Sequence, residues 1–163
     1  MTNNEIRLRD VRSEDMSALL ALEQISFDVD RLSRRSFRHW INSNSRAFIV
    51  ATVDNELAGY ILVIYHAGTR LARFYSIATD PRFRGRGIAR SLIEAGEQAA
   101  SQSGRFIMRL EVGCDNEVAI NLYESMGYAP FGIYHDYYDD HSDAIRMQKR
   151  IHQYREYESN VDM

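Results

Sequence analysis

The sequence predicts a mixed α+β fold, a mainly antiparallel seven-stranded sheet with helices on both faces. Three observations lead there. Segments of alternating or β-branched residues outnumber helical ones, and several follow each other across short turns. The helical patterns fall between them in the order β-α-α-β-β-β-α-β-α-β-β, for which helices packed on a mostly antiparallel sheet are the economical solution. The stretch 71–92, LARFYSIATDPRFRGRGIARSL, reads as strand, glycine turn and helix in immediate succession.

Taken in order, Ile6-Arg7-Leu8-Arg9 alternates and predicts a first strand. Ser13 is placed to cap a helix whose first turn holds Glu14 and Asp15, with Met16, Leu19, Leu22 and Ile25 on its apolar side. A second helix is expected over Ser33 to Ile41, with Phe37, Trp40 and Ile41 inward. Its arginines, Arg31, Arg34, Arg35 and Arg38, read first as a solvated face and second as a surface for an acidic partner. Residues 47–53 form a buried strand, Asp54-Asn55 a turn, and Glu56 to Tyr65 the antiparallel return. After the loop 66–70 comes the strand Leu71–Thr79, stopped by Asp80-Pro81. The following helix places Ile88, Leu92, Ile93 and Ala99 on one side and stops at Gly104. Phe106 to Val112 is a strand, Asn116 to Met126 a helix ended by Gly127, and Tyr128 to Tyr134 and Ala144 to Arg150 are the last strands.

Composition narrows the function. The chain has 163 residues, 45% hydrophobic and 26% charged, which suits one globular domain over 1–151 with a polar tail over 152–163. A net charge of −3 gives no general affinity for nucleic acid. No apolar run is long enough to span a bilayer, and MTNNEIRLRD lacks a secretory h-region, so a cytoplasmic protein is expected. The single Cys114 cannot form an internal disulfide and is expected to be structural. His66, His135 and His141 are not at metal-ligand spacing, and no metal site is expected.

The unit at 71–92 carries the chemistry. First-turn amides of a helix have no internal acceptor, and glycine lets a phosphate approach the backbone closely. Arg82, Arg84, Arg86 and Arg90 surround the turn with positive charge. The turn fits neither G-x-G-x-x-G nor the P-loop pattern, and by itself Gly85-x-Gly87 is also consistent with a plain tight turn.

The longer pattern, Arg-x-x-Gly-x-Gly-x-Ala after a strand ending in Asp-Pro, resembles the acyl-CoA signature of the GNAT N-acetyltransferases. The resemblance implies that the loop and helix start, Arg82, Phe83, Arg84, Gly85, Arg86, Gly87, Ile88 and Ala89, bind the diphosphate of acetyl-CoA. It implies that Ile77, Ala78 and Thr79 line the pantetheine arm, and that the strands Leu71–Thr79 and Phe106–Val112 splay apart to admit the thioester. A second match, L-E-V-x-x-x-N-x-x-A-I-x-L-Y-E-x-x-G-Y over 110–128, is similar to the bacterial RimI-type N-terminal acetyltransferases. It implies Glu111 as general base, Tyr123 as general acid to the thiolate, and Asn116 as a bond to the cofactor arm. By the same resemblance Phe27, Glu111, Tyr137 and Tyr138 would contact the acceptor. Read from residue chemistry alone, Glu111 is a carboxylate beside Arg109 and Tyr123 a core aromatic.

The loop 135–143, HDYYDDHSD, combines tyrosines with Asp136, Asp139, Asp140 and Asp143, groups that suit a peptide backbone or an ammonium. The expected function is transfer of an acetyl group from acetyl-CoA to a primary amine, first the N-terminal α-amine of a protein or peptide. Two alternatives stand beside it: a small amine such as a polyamine or aminoglycoside, and a non-catalytic acyl-CoA-binding module.

Overall fold

The computed structural model describes residues 5–27 and 31–151; the polar tail from His152 lies outside them. Seven strands form one sheet: β1 Ile6–Asp10, β2 Arg46–Val53, β3 Glu56–Tyr65, β4 Leu71–Thr79, β5 Ile107–Gly113, β6 Ala129–Tyr134 and β7 Ala144–Arg150. Their order is β1-β2-β3-β4-β5-β7-β6, and every pairing is antiparallel except β4 with β5. The helices are α1 Met16–Ser26, α2 Arg34–Asn42, α3 Ile88–Gln102 and α4 Glu117–Ser125. The strand and helix order agrees with the sequence expectation.

Alternation along the strands builds a core on each side. Ile61, Val63, Met108, Leu110 and Met147 face α3 and α4, together with Leu92, Ile93 and Tyr123. Tyr60, Leu62, Phe48 and Val50 face α1 and α2, together with Leu19, Leu22 and Phe37. The β2–β3 turn is tight because Asp54 and Asn55 both accept positive φ, 52° and 65°. Glycine is needed at Gly59, where a Cβ would lie 2.8 Å from the Ala78 carbonyl oxygen.

The start of the first helix differs from expectation. Ser13 does not cap it; Ser13–Asp15 forms a 3-10 turn, and Asp15 accepts the Arg12 amide at 2.7 Å and a fork from Arg9 at 2.8 Å on each oxygen. Burial pushes the Asp15 carboxyl up, but the Arg9 hydrogen bonds and the Arg12 amide outweigh it and hold the carboxyl below its ordinary 3.8. The α2 start is as expected, with Ser33 accepting the Ser36 amide at 3.1 Å.

One feature of the sheet positions the site. The parallel β4–β5 ladder holds only at Leu71–Ile107, Ala72–Met108 and Arg73–Arg109. Beyond it, β4 runs on to Thr79 paired with β3 while β5 runs on to Gly113 paired with β7. The two central strands therefore part, as the resemblance implied. A bulge in β4 across from Leu62 and Val63 leaves Tyr75 without a β3 partner at the mouth of the gap.

Candidate active site

The gap opens at the end of β4, where Asp80 turns the chain. Its carboxylate accepts the Arg82 amide at 2.9 Å and opens the 3-10 turn Pro81–Phe83. The Arg82 guanidinium folds back onto Asp80 at 2.9 Å and Glu56 at 2.6 Å. Arg82 is thus engaged at amide and side chain, and the positive rim of the loop rests on Arg84 and Arg86, both exposed, with Arg90 bonded to Ser125 at 3.0 Å. Gly85 and Gly87 take φ values of 79° and 74°, and a Cβ at either position would meet nothing within 4 Å. They leave open space in front of α3, where the amides of Ile88, Ala89 and Arg90 precede the first helical bond, Ser91 N–H to Gly87 at 3.0 Å. Helix-start amides beside open space, with the exposed Arg84 and with Arg86 over the Phe83 ring at 5.5 Å, fit a diphosphate. Ile77 to Thr79, paired with β3 on one edge and past the end of the β5 ladder on the other, border the gap on one side.

Tyr123 and Glu111 stand on opposite faces of the sheet at this gap. Tyr123 belongs to the α3/α4 core, 7% exposed, with its ring edge-on to Phe74 at 5.6 Å and 6.0 Å from Tyr128. Burial, then the neighbouring Tyr138, pushes its phenol above the ordinary range, so the hydroxyl keeps its proton. Glu111 alternates with the buried Leu110 and Val112 and so points to the α1/α2 face. Its partner is not Arg109 but Arg73 of β4, at 3.2 Å, and Arg73 also donates to the Tyr137 hydroxyl at 2.7 Å. Asn116 caps α4, accepting the Ala119 amide at 3.2 Å. Phe27, half-buried at the end of α1, packs on the α1/α2 side.

The loop 135–143 folds back to the gap. Tyr137 reaches Arg73, and Tyr138 lies beside Tyr123 and within 3.8 Å of a Cβ built on Gly113. The loop's carboxylates mostly serve the loop. Asp143 accepts the Asp136 amide at 2.9 Å and pairs with His135, Asp136 pairs with His141, and Asp140 accepts from Ser142. These bonds fix the loop's shape, and they hold the Asp140 and Asp143 carboxyls below the ordinary carboxylate range, so both stay ionised. Cys114 is exposed rather than a packing residue, its thiol 3.6 Å from Asp115.

Sequence reasoning missed Arg73 and a buried network beneath it. Glu23 of α1, 2% exposed, accepts the Leu32 amide at 2.8 Å and the Tyr60 hydroxyl, which in turn meets Ser76 Oγ at 2.7 Å. The link from α1 to α2 is thereby tied to β3 and β4. Burial pushes the Glu23 carboxyl up, and the Tyr60 and Leu32 bonds pull it only partly back. A charged residue inside the apolar runs LALEQI and LARFYSI was the available signal for both.

A sheet parted at its parallel pair, with a glycine turn and a helix start at the mouth, is the architecture of an acyl-CoA-dependent transferase. The sequence pattern of the acetyltransferase (GNAT) family matches residues 9–128, and the chain belongs to that family. It is an N-acetyltransferase, and the family uses acetyl-CoA. An N-alpha-acetyltransferase of Sulfurisphaera tokodaii is 27% identical over 154 residues, covering 88% of this chain and 92% of that protein. The ribosomal-protein-S18-alanine N-acetyltransferase from Escherichia coli superposes with a TM-score of 0.81 at 25% identity, over 90% of this chain and 94% of that one. Ard1 from Thermoplasma volcanium gives 0.83 at 25% identity, over 90% and 98%. Among the described residues no helix is long and apolar enough to cross a membrane.

Proposed function

We propose that this acetyltransferase acts on the α-amino group of a protein or peptide N-terminus, with Glu111 accepting a proton on one side of the parted strands and Tyr123 supplying one on the other. Acetyl-CoA, when bound, supplies the activated thioester. The amides from Gly85 to Ala89, with Arg84 and Arg86, would hold its diphosphate, and Ile77, Ala78, Thr79 and Asn116 its arm. Phe27, Tyr137 and Tyr138 would line the acceptor side.

The observation that carries this reading is the opposed placement of the two groups. Tyr123 keeps a proton at Oη in the α3/α4 core, where a leaving sulfur needs one. Glu111 holds its carboxylate on the α1/α2 face, where an incoming amine must lose one. An α-amine has an ordinary pKa of about 7.7–8.0 against about 10.4 for a lysine-like amine. An α-amine is therefore the easier of the two to deprotonate at neutral pH, whether Glu111 acts directly or through a water. The relatives named for N-terminal acetylation support the same acceptor class. Small polycations find less support, because Asp136, Asp140 and Asp143 already spend oxygens on partners within the loop.

The test is thiol release from acetyl-CoA with peptides of varied first residue, and with polyamines and aminoglycosides. Turnover of peptides that depends on the first residue and vanishes when the N-terminus is blocked is the expected result. Turnover confined to small amines overturns it.

A further inference from the structure

The surroundings of Glu111 hold more positive charge than Glu111 neutralises. In the β5–β7 ladder Glu111 stands directly opposite Arg146, and in the β4–β5 ladder Arg73 stands opposite Arg109. Alternation puts all of these on one sheet face. A Glu–Arg pair directly across two antiparallel strands is well placed to interact. Here the carboxylate goes to Arg73 at 3.2 Å, and Arg146 turns away to lie over Tyr134 at 4.2 Å and Phe131 at 4.7 Å. Arg109 lies over Phe131 at 5.1 Å and donates to the Gln148 amide oxygen at 3.1 Å. Among the described residues neither Arg109 nor Arg146 has a carboxylate within ion-pair distance, and Arg146 Nε has no acceptor. The face is partly open: Arg109 and Arg146 are half-buried, Phe131 and Tyr134 are each 38% exposed, Tyr137 stacks on Tyr134 at 5.4 Å, and α1 and α2 pack over β2, β3 and β4 instead.

We propose that this arginine–aromatic face selects the acceptor: the residue to be acetylated is followed by acidic side chains that pair with Arg109 and Arg146. The inference rests on the N-terminal reading above and narrows it. An extended peptide advances about 3.4 Å per residue, and adjacent strands lie about 4.8 Å apart. With the α-amine at Glu111, side chains of the next few residues fall within reach of Arg146 and Arg109. The ring contacts already restrict each guanidinium, so less freedom is lost when its outer N–H groups take a carboxylate in a fork. The same unpaired charges repel a second ammonium group, which disfavours polyamines.

The experiment compares peptides that share a first serine and carry aspartate, asparagine or lysine at the second and third positions. For the wild-type enzyme kcat/KM is expected to be about ten-fold higher for the aspartate than the asparagine peptide, the scale of a charge-assisted hydrogen bond, and to fall with added salt. Arg109→Gln combined with Arg146→Gln should bring that ratio to within about two-fold of unity, and Arg146→Glu should tip it toward the lysine peptide. Equal use of the three peptides by wild type, or a ratio unmoved in a double variant of native melting temperature, overturns this inference and leaves the N-terminal reading standing. Should the double variant unfold, the salt series on wild type decides, and a ratio that is flat from low to high salt overturns the proposal. Refusal of every peptide alongside turnover of small amines removes the N-terminal reading and this inference with it.

Discussion

Burial of the Tyr123 phenol does two things at once: it keeps the proton on Oη through neutral pH, and it packs the ring between Phe74 and Tyr128. Tyr123→Phe separates them, since phenylalanine retains the packing and loses only the hydroxyl. Turnover should fall at least ten-fold, about 1.4 kcal/mol, while CoA binding by calorimetry and the melting temperature change little. An unchanged kcat would remove Tyr123 from the chemistry. The sequence pattern marked Tyr123 and Glu111, but it was silent on Arg73. That pairing spans 38 residues and exists only because β4 and β5 run parallel for a few residues before they part. In the acidic loop the partners, not the residues, were hidden. Composition made Asp136, Asp140 and Asp143 look outward, whereas turn geometry gave them backbone and histidine partners within the loop.

At the level of elements, the hairpin at Asp54-Asn55 and the strand ending at Asp80-Pro81 were legible because turn residues sit where hydrophobic runs stop. The first helix was misread at its start, since Asp15 finds its strongest partner in Arg9 on a separate strand, and local spacing favoured Ser13. The glycine turn before α3 was legible, and it carries a test. At Gly87 φ is 74°, so alanine there is strained by roughly 1 kcal/mol or more, and its methyl would project into the space assigned to the diphosphate. Gly87→Ala is expected to raise the KM for acetyl-CoA at least ten-fold, with a drop of a few degrees in melting temperature. A normal KM would place the diphosphate elsewhere.

For the whole molecule, acid sensitivity follows from two buried carboxylates. The Arg82 hydrogen bond holds Asp80 below its ordinary 3.8, and Asp15 is likewise depressed. A folded value below the unfolded one means that each group's contribution is complete above about pH 3.8 and is lost as pH falls through the lower, folded value. Glu23 has the opposite sign: its raised carboxyl favours the folded state below its unfolded 4.5 and loses that advantage as pH rises through the folded value. Asp15→Asn should lower stability at neutral pH by about 1–3 kcal/mol and flatten the acid limb of a denaturation series. An acid limb as steep as wild type would show that Asp15 is not a source of it. The Asp80–Arg82 pair is local, two residues apart, but Arg9 reaches Asp15 from β1 and Tyr60 reaches Glu23 from β3, and those partners meet only once the sheet has formed.

The β4–β5 ladder ends after Arg73 and Arg109, and this gives the molecule a fault line. Four strands lie to one side and three to the other, and near the seam the chain adds the Phe106 and Ile107 amides, both reaching Arg70. On the proposed reading, the pantetheine arm occupies the missing length of that seam as if it were a strand. Loading the enzyme then mends the sheet as well as arming it, so the two halves stiffen together for as long as the cofactor's arm stays in the seam.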